Sequence, residues 1–168
     1  MKPLILGEAP GKGKAIVADL FPLSGPVGVT LCQLAGLEDE ALSTRPGTSR
    51  YGHYYWTLKR HYDLDNLLEE YPGRAGKGAA FPVDVARQVA EQRRDEWHGK
   101  VMILLGARMK RVFFTQRVPF YEWFWWPYYG TSVAAIPHPS GLNRAYNEQS
   151  HKDRARLILQ QAIERTER

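Results

Sequence analysis

Residues 136–147, IPHPSGLNRAYN, leave an apolar run, cross two prolines and a glycine, and set His138, Ser140, Leu142, Asn143 and Arg144 on one stiff turn. An imidazole exchanges a proton near neutral pH, and an arginine binds anions through two parallel N–H groups. A leucine between them on a rigid turn is the size of a wedge. A carboxylate, Glu8, stands in a comparable place near the other end of the chain, in the loop GEAPGKGK that follows the apolar run PLILG. Two glycine-rich stretches, GKGK at 11–14 and GRAGKG at 73–78, carry Lys12, Lys14, Arg74 and Lys77 on backbone suited to phosphate contact, with solvated loops as the alternative. Neither stretch has the spacing of a phosphate-binding P-loop, which excludes a nucleoside-triphosphatase. No carboxylate or histidine cluster has metal-ligand spacing, which argues against a metal-dependent nuclease or phosphatase.

Charge and composition narrow the partners. Lys and Arg outnumber Asp and Glu by 23 to 18, for a net charge of +5, which favours a polyanionic partner. Cys32 is the one cysteine, so the chain has no internal disulfide and cannot hold a metal or iron–sulfur cluster on several thiolates. No cofactor is expected. A reducing, cytoplasmic setting fits, and no apolar run reaches the length of a signal or membrane span. At 168 residues the chain is expected to form one domain over 1–168.

These residues need elements to position them. PLILG at 3–7, KVMILLG at 100–106 and TSVAAIP at 131–137 are continuous apolar runs closed by glycine or proline, as expected of strands buried on both faces of a parallel sheet. A less defined strand falls near 62–66. Helices are expected over 28–36, 82–97, the ARMKRVFF segment and roughly 150–167, where Ala155, Ile158, Leu159, Ala162 and Ile163 form a stripe. The remainder of 38–71 mixes aromatics and charges at no sustained period. Strands alternating with helices predict an α/β fold, a three-layer α/β/α sandwich with a short, mainly parallel central sheet. Ligands of such sheets bind at the carboxyl ends of the strands, where GEAPGKGK, DNLL (65–68) and HPSGLNR (138–144) all fall.

In this order the three loops resemble the uracil-DNA glycosylase superfamily. GEAPG is similar to the water-activating loop of its iron–sulfur-type members, and HPSGLNR looks like its loop carrying the leaving-group stabiliser and DNA wedge. DNLL stands where the base-reading asparagine lies, and KVMILLGA looks like the strand before the last helix pair. The resemblance spans nearly the whole chain. It implies a DNA partner and a monofunctional DNA glycosylase that flips uracil or a related altered pyrimidine out of the stack and hydrolyses its glycosidic bond.

The roles implied are specific. Glu8 would orient and deprotonate the attacking water and His138 would donate to the leaving base. Asn66 would read the base edge, although an asparagine there could instead cap a helix begun by LLEEY. Leu142 would fill the vacated stack, with Ser140, Asn143 and Arg144 on phosphates or the orphaned base. Lys12, Lys14, Arg74 and Lys77 would hold the backbone nearby. The run FYEWFWWPYY (120–129) offers either stacking platforms or packing against the sheet or a partner subunit.

Departures are equally specific. The cluster cysteines are absent, Ala9 follows Glu8 where some branches place Asp or Asn, and Val27 stands where a base-stacking phenylalanine falls, with Phe21 as a substitute. The length and short loops suggest a stripped-down form of the kind phages encode. A non-catalytic DNA or modified-base binding module on the same fold is the alternative function.

Overall fold

The computed structural model describes residues 1–9, 22–43, 52–69, 81–140 and 144–167. The expected roles of Lys12, Lys14, Phe21, Arg74, Lys77, Leu142 and Asn143 lie outside those residues. Five strands form one sheet: β1 (Leu4–Gly7), β2 (Asp63–Asn66), β3 (Met102–Leu105), β4 (Trp123–Trp126) and β5 (Thr131–Ile136). Their order is β2-β1-β3-β5-β4, with only β4 antiparallel.

The apolar runs explain this arrangement. Successive side chains of a strand point to opposite faces, so Leu4, Leu6, Met102, Leu104, Val133 and Ala135 enter one core while Ile5, Ile103, Leu105, Ala134 and Ile136 enter the other. A strand that must be apolar on both faces reads as an unbroken apolar run. The first core is covered by α4 (Val83–Gln92), α5 (Arg94–Trp97) and α6 (Gly106–Phe113). The second is covered by α1 (Pro26–Leu34), α2 (Glu38–Ser43), α3 (Gly52–His61) and α7 (Gln149–Thr166). The protein is therefore the α/β/α sandwich that the alternation of elements predicts.

One helix needs correction, and segments the sequence left open are filled in. The helix expected over 82–97 is two, broken at Arg93, whose backbone N–H reaches the carbonyls of Val89 and Glu91 at the end of α4. Helices α2 and α3 occupy the stretch where no period was visible. The aromatic run contains β4, which packs Trp123 against one core and Trp126 against the other while Trp125 stays 65% exposed. Val27 lies in the first turn of α1 and packs against the second core. No described helix is long and apolar enough to cross a membrane.

Candidate functional site

Parallel strands side by side deliver their carboxyl ends to one edge of the sheet, and that edge gathers Glu8, Asn66, Gly106 and His138. β1 and β2 pair in register, Gly7 opposite Asn66. Their ladder runs on past the strands, with the N–H of Leu67 on the Gly7 carbonyl at 2.9 Å and that of Leu68 on the Glu8 carbonyl at 3.0 Å. Leu67 and Leu68 thus extend the strand edge, residues 67–69 do not start a helix, and Asn66 caps none there.

Asn66 is 8% exposed, and its amide oxygen has no hydrogen-bond partner among the described residues. That oxygen lies over Gly7, 2.8 Å from where a Cβ on Gly7 would sit. A side chain at Gly7 would force that oxygen and Leu23 Cδ2, 2.5 Å from the same Cβ position, to move. A buried acceptor left unpaired is costly, yet the segment carrying it is firmly held. The Asp65 carboxylate accepts the Asn66 N–H at 2.7 Å through Oδ1 and pairs with Arg93 through Oδ2. Arg93 in turn donates to the Asn66 carbonyl at 2.9 Å and packs over the Trp97 ring at 5.0 Å.

Glu8 and His138 converge on Gly106. A Cβ built there would stand 3.1 Å from the His138 Cβ and 3.5 Å from Glu8 Oε1, and the backbone has φ +94°. The other carboxylate oxygen, Oε2, accepts from Arg108 at 3.2 Å. Arg108 also lies over the Phe81 ring, 5.8 Å from its centroid. Burial pushes the His138 imidazole below its usual range; Glu8 pulls it up, Arg108 pushes it further down, and the net direction is downward.

The loop after β5 is pinned from beneath. The buried Tyr146 hydroxyl donates to the Pro137 carbonyl at 2.6 Å, and the Ser140 N–H donates to the His138 carbonyl at 2.9 Å. The Ser140 N–H is therefore engaged within the loop, which leaves the hydroxyl as its donor to a phosphate. Arg144 is exposed and opens a 3-10 turn over Arg144–Asn147.

Of the expected site residues, the structure brings Glu8, His138 and Asn66 to one edge, with Ser140 and Arg144 on the loop beyond. Arg108, Gly106, Phe81, Arg93 and Tyr146 were not foreseen. One signal could have found Arg108, because LLGAR leaves β3 at the same edge as the other loops. Among the described residues no group of three or more His, Cys, Asp or Glu could hold a metal ion. The four thiolates of an iron–sulfur centre cannot come from Cys32, which is buried in the second core with its thiol pushed up to about 12, chiefly by that burial.

Fold and site together define a three-layer α/β protein that carries a carboxylate, an imidazole and a carboxamide on the carboxyl edge of a mainly parallel sheet. Residues 1–160 match the family model of the uracil DNA glycosylase superfamily, and the chain belongs to that superfamily. No curated protein matches it.

Proposed function

We propose that the protein is a monofunctional DNA glycosylase, a single domain over 1–168, that hydrolyses the glycosidic bond of uracil or a related altered pyrimidine in DNA. The observation that carries the reading is the convergence of Glu8 and His138 on Gly106, with the unpaired amide oxygen of Asn66 over Gly7 at the same edge of the sheet. Membership of the superfamily supports it.

In this reading the C1′–N bond breaks with its electron pair passing to the base, and the sugar becomes oxocarbenium-like. The Glu8 carboxylate faces that cation, orients a water toward C1′ and accepts its proton as the new C–O bond forms. His138, biased toward its neutral form by burial, donates a ring N–H to the oxygen of the departing base. Asn66 can accept from a ring N–H and donate to a carbonyl at once, which matches the edge of uracil and not that of cytosine. Leu142 fills the gap in the stack, while Ser140, Asn143, Arg144, Lys12, Lys14, Arg74 and Lys77 hold the strand.

One observation favours a second reading, a binding module that does not cut. Val27, where the resemblance places a stacking aromatic, lies in α1 and packs against the second core instead. The deciding experiment is base release from single-stranded and duplex oligonucleotides carrying uracil, hydroxymethyluracil, hypoxanthine, or thymine opposite guanine, followed by alkaline cleavage. Strand breaks at one modified position, abolished by Glu8→Ala or His138→Ala in folded protein, establish the glycosylase. Retained binding with no breaks establishes the module.

A further inference from the structure

Arg108 is a cation at the centre of the site to which the reading above gives no task. It stands in the first turn of α6, two residues past Gly106, and its charge is felt at both Glu8 and His138. Among the described residues its ion-pair partner is Glu8, and its side chain is 55% exposed against 20% for Glu8. A guanidinium has five N–H donors in a flat fork. One meets the carboxylate, the plane is backed by Phe81, and the exposed side of the group faces solvent at the carboxyl edge of the sheet.

An ion pair so exposed is weak, whereas a phosphodiester offers the same fork a paired, charge-assisted contact. The pairing also works against the chemistry. While Arg108 holds Glu8, it cancels the negative charge that would face the cationic sugar. It benefits the free protein, because a bare carboxylate at the mouth would repel the DNA backbone.

We propose that Arg108 is a ligand for a DNA phosphate beside the extruded nucleotide, and that Glu8 is the partner it gives up on binding. Seating the strand then uncovers the carboxylate only when a sugar is present for it to act on. The inference rests on the reading of the chain as a DNA glycosylase.

The test is equilibrium binding, by fluorescence anisotropy across a salt series, to an oligonucleotide carrying a tetrahydrofuran abasic analogue that cannot be cleaved. Wild type, Arg108→Gln, Arg108→Lys, Glu8→Gln and the Glu8→Gln/Arg108→Gln double variant are compared, with thermal melts confirming that each is folded. Arg108→Gln weakens binding and flattens the slope of log affinity against log salt by about 0.7 to 0.9, the loss of one phosphate contact, while Arg108→Lys keeps the slope. Glu8→Gln tightens binding by about two- to fivefold when Arg108 is present, because the competing carboxylate is gone, and by clearly less in the double variant. An unchanged slope in Arg108→Gln, or equal tightening by Glu8→Gln with and without Arg108, overturns the proposal. The underlying reading fails separately, through wild-type protein that binds the abasic analogue but releases no base from the oligonucleotides carrying uracil, hydroxymethyluracil, hypoxanthine, or thymine opposite guanine.

Discussion

Gly106 and His138 approach so closely that a Cβ on the glycine would stand 3.1 Å from the Cβ of the histidine. The same Cβ would face Glu8 Oε1 at 3.5 Å, and φ at Gly106 is +94°. Conformation and space both demand glycine. Gly106→Ala therefore costs about 1 to 3 kcal/mol in backbone strain and also pushes on the two side chains proposed to act together. The expected outcome is a lower melting temperature and a fall in base release larger than the stability loss explains, measured under conditions where the variant remains folded.

The phenol of Tyr146 and the carbonyl of Pro137 form a buried bond at 2.6 Å directly before His138. Tyr146→Phe removes the donor and leaves the carbonyl unpaired, a loss of about 1 to 3 kcal/mol. Denaturant unfolding should report that loss. If the bond also fixes the imidazole, kcat falls while affinity for abasic DNA stays near that of wild type; equal effects on both would limit Tyr146 to a structural part.

The edge that gathers the site was legible because parallel strands buried on both faces are written as apolar runs, and the loops after them must share one side. Glu8 and His138 each follow such a run directly, whereas Asn66 ends β2, whose sequence DLDN is not an apolar run. Arg108 also follows one, but it lies inside a helix that begins at once, so its sequence context reads as a solvated helix face. Helix α3 was hidden because its buried positions, Tyr55, Thr57 and Leu58, include a polar residue and follow no apolar stripe. The role of Arg93 depends on contacts 26 to 28 residues away at Asp65, Asn66 and Leu67, which no local pattern announces.

Arg93 offers a test of whether Asn66 reads the base. Its guanidinium joins Asp65, Glu96 and the Asn66 carbonyl, and removing it leaves the Asp65 carboxylate and that carbonyl without a partner they now have. Arg93→Met is expected to lower stability by about 1 to 3 kcal/mol. It should also narrow the preference for uracil over cytosine, since a loosened Asn66 discriminates less. Arg93→Gly with guanidinium added back should recover part of that preference; an unchanged ratio of kcat/KM for the two bases in both variants would remove Arg93 from recognition.

Asn66 itself separates function from stability. Its buried amide oxygen is unpaired among the described residues, so the fold gains little from it. Asn66→Ala is expected to change unfolding free energy by less than about 1 kcal/mol, through the balance of a small cavity against a relieved orphan acceptor. Base release should fall by about tenfold or more, the worth of a lost charge-free recognition pair in a dry site. A large stability loss with intact activity would return Asn66 to the ordinary core.

The depressed His138 imidazole fixes a pH dependence whose sign can be worked out. In the unfolded chain the ring takes up its proton near 6.5, and in the folded protein only at lower pH. Between those values the unfolded state binds more protons, so stability rises with pH there. The full contribution is present above 6.5 and is lost as pH falls through the window toward the folded value. Thermal melts taken from about pH 7 to about pH 5 should show this loss in wild type and a shallower one in His138→Gln. Burial is the leading cause, with Glu8 opposing it and Arg108 reinforcing it. The His138 ring titration, followed by NMR, should therefore move down in Glu8→Gln and up in Arg108→Gln. Shifts of the reverse sign would mean that the three side chains do not share one electrostatic field, and the proposed division of labour between Glu8 and His138 would lose its basis.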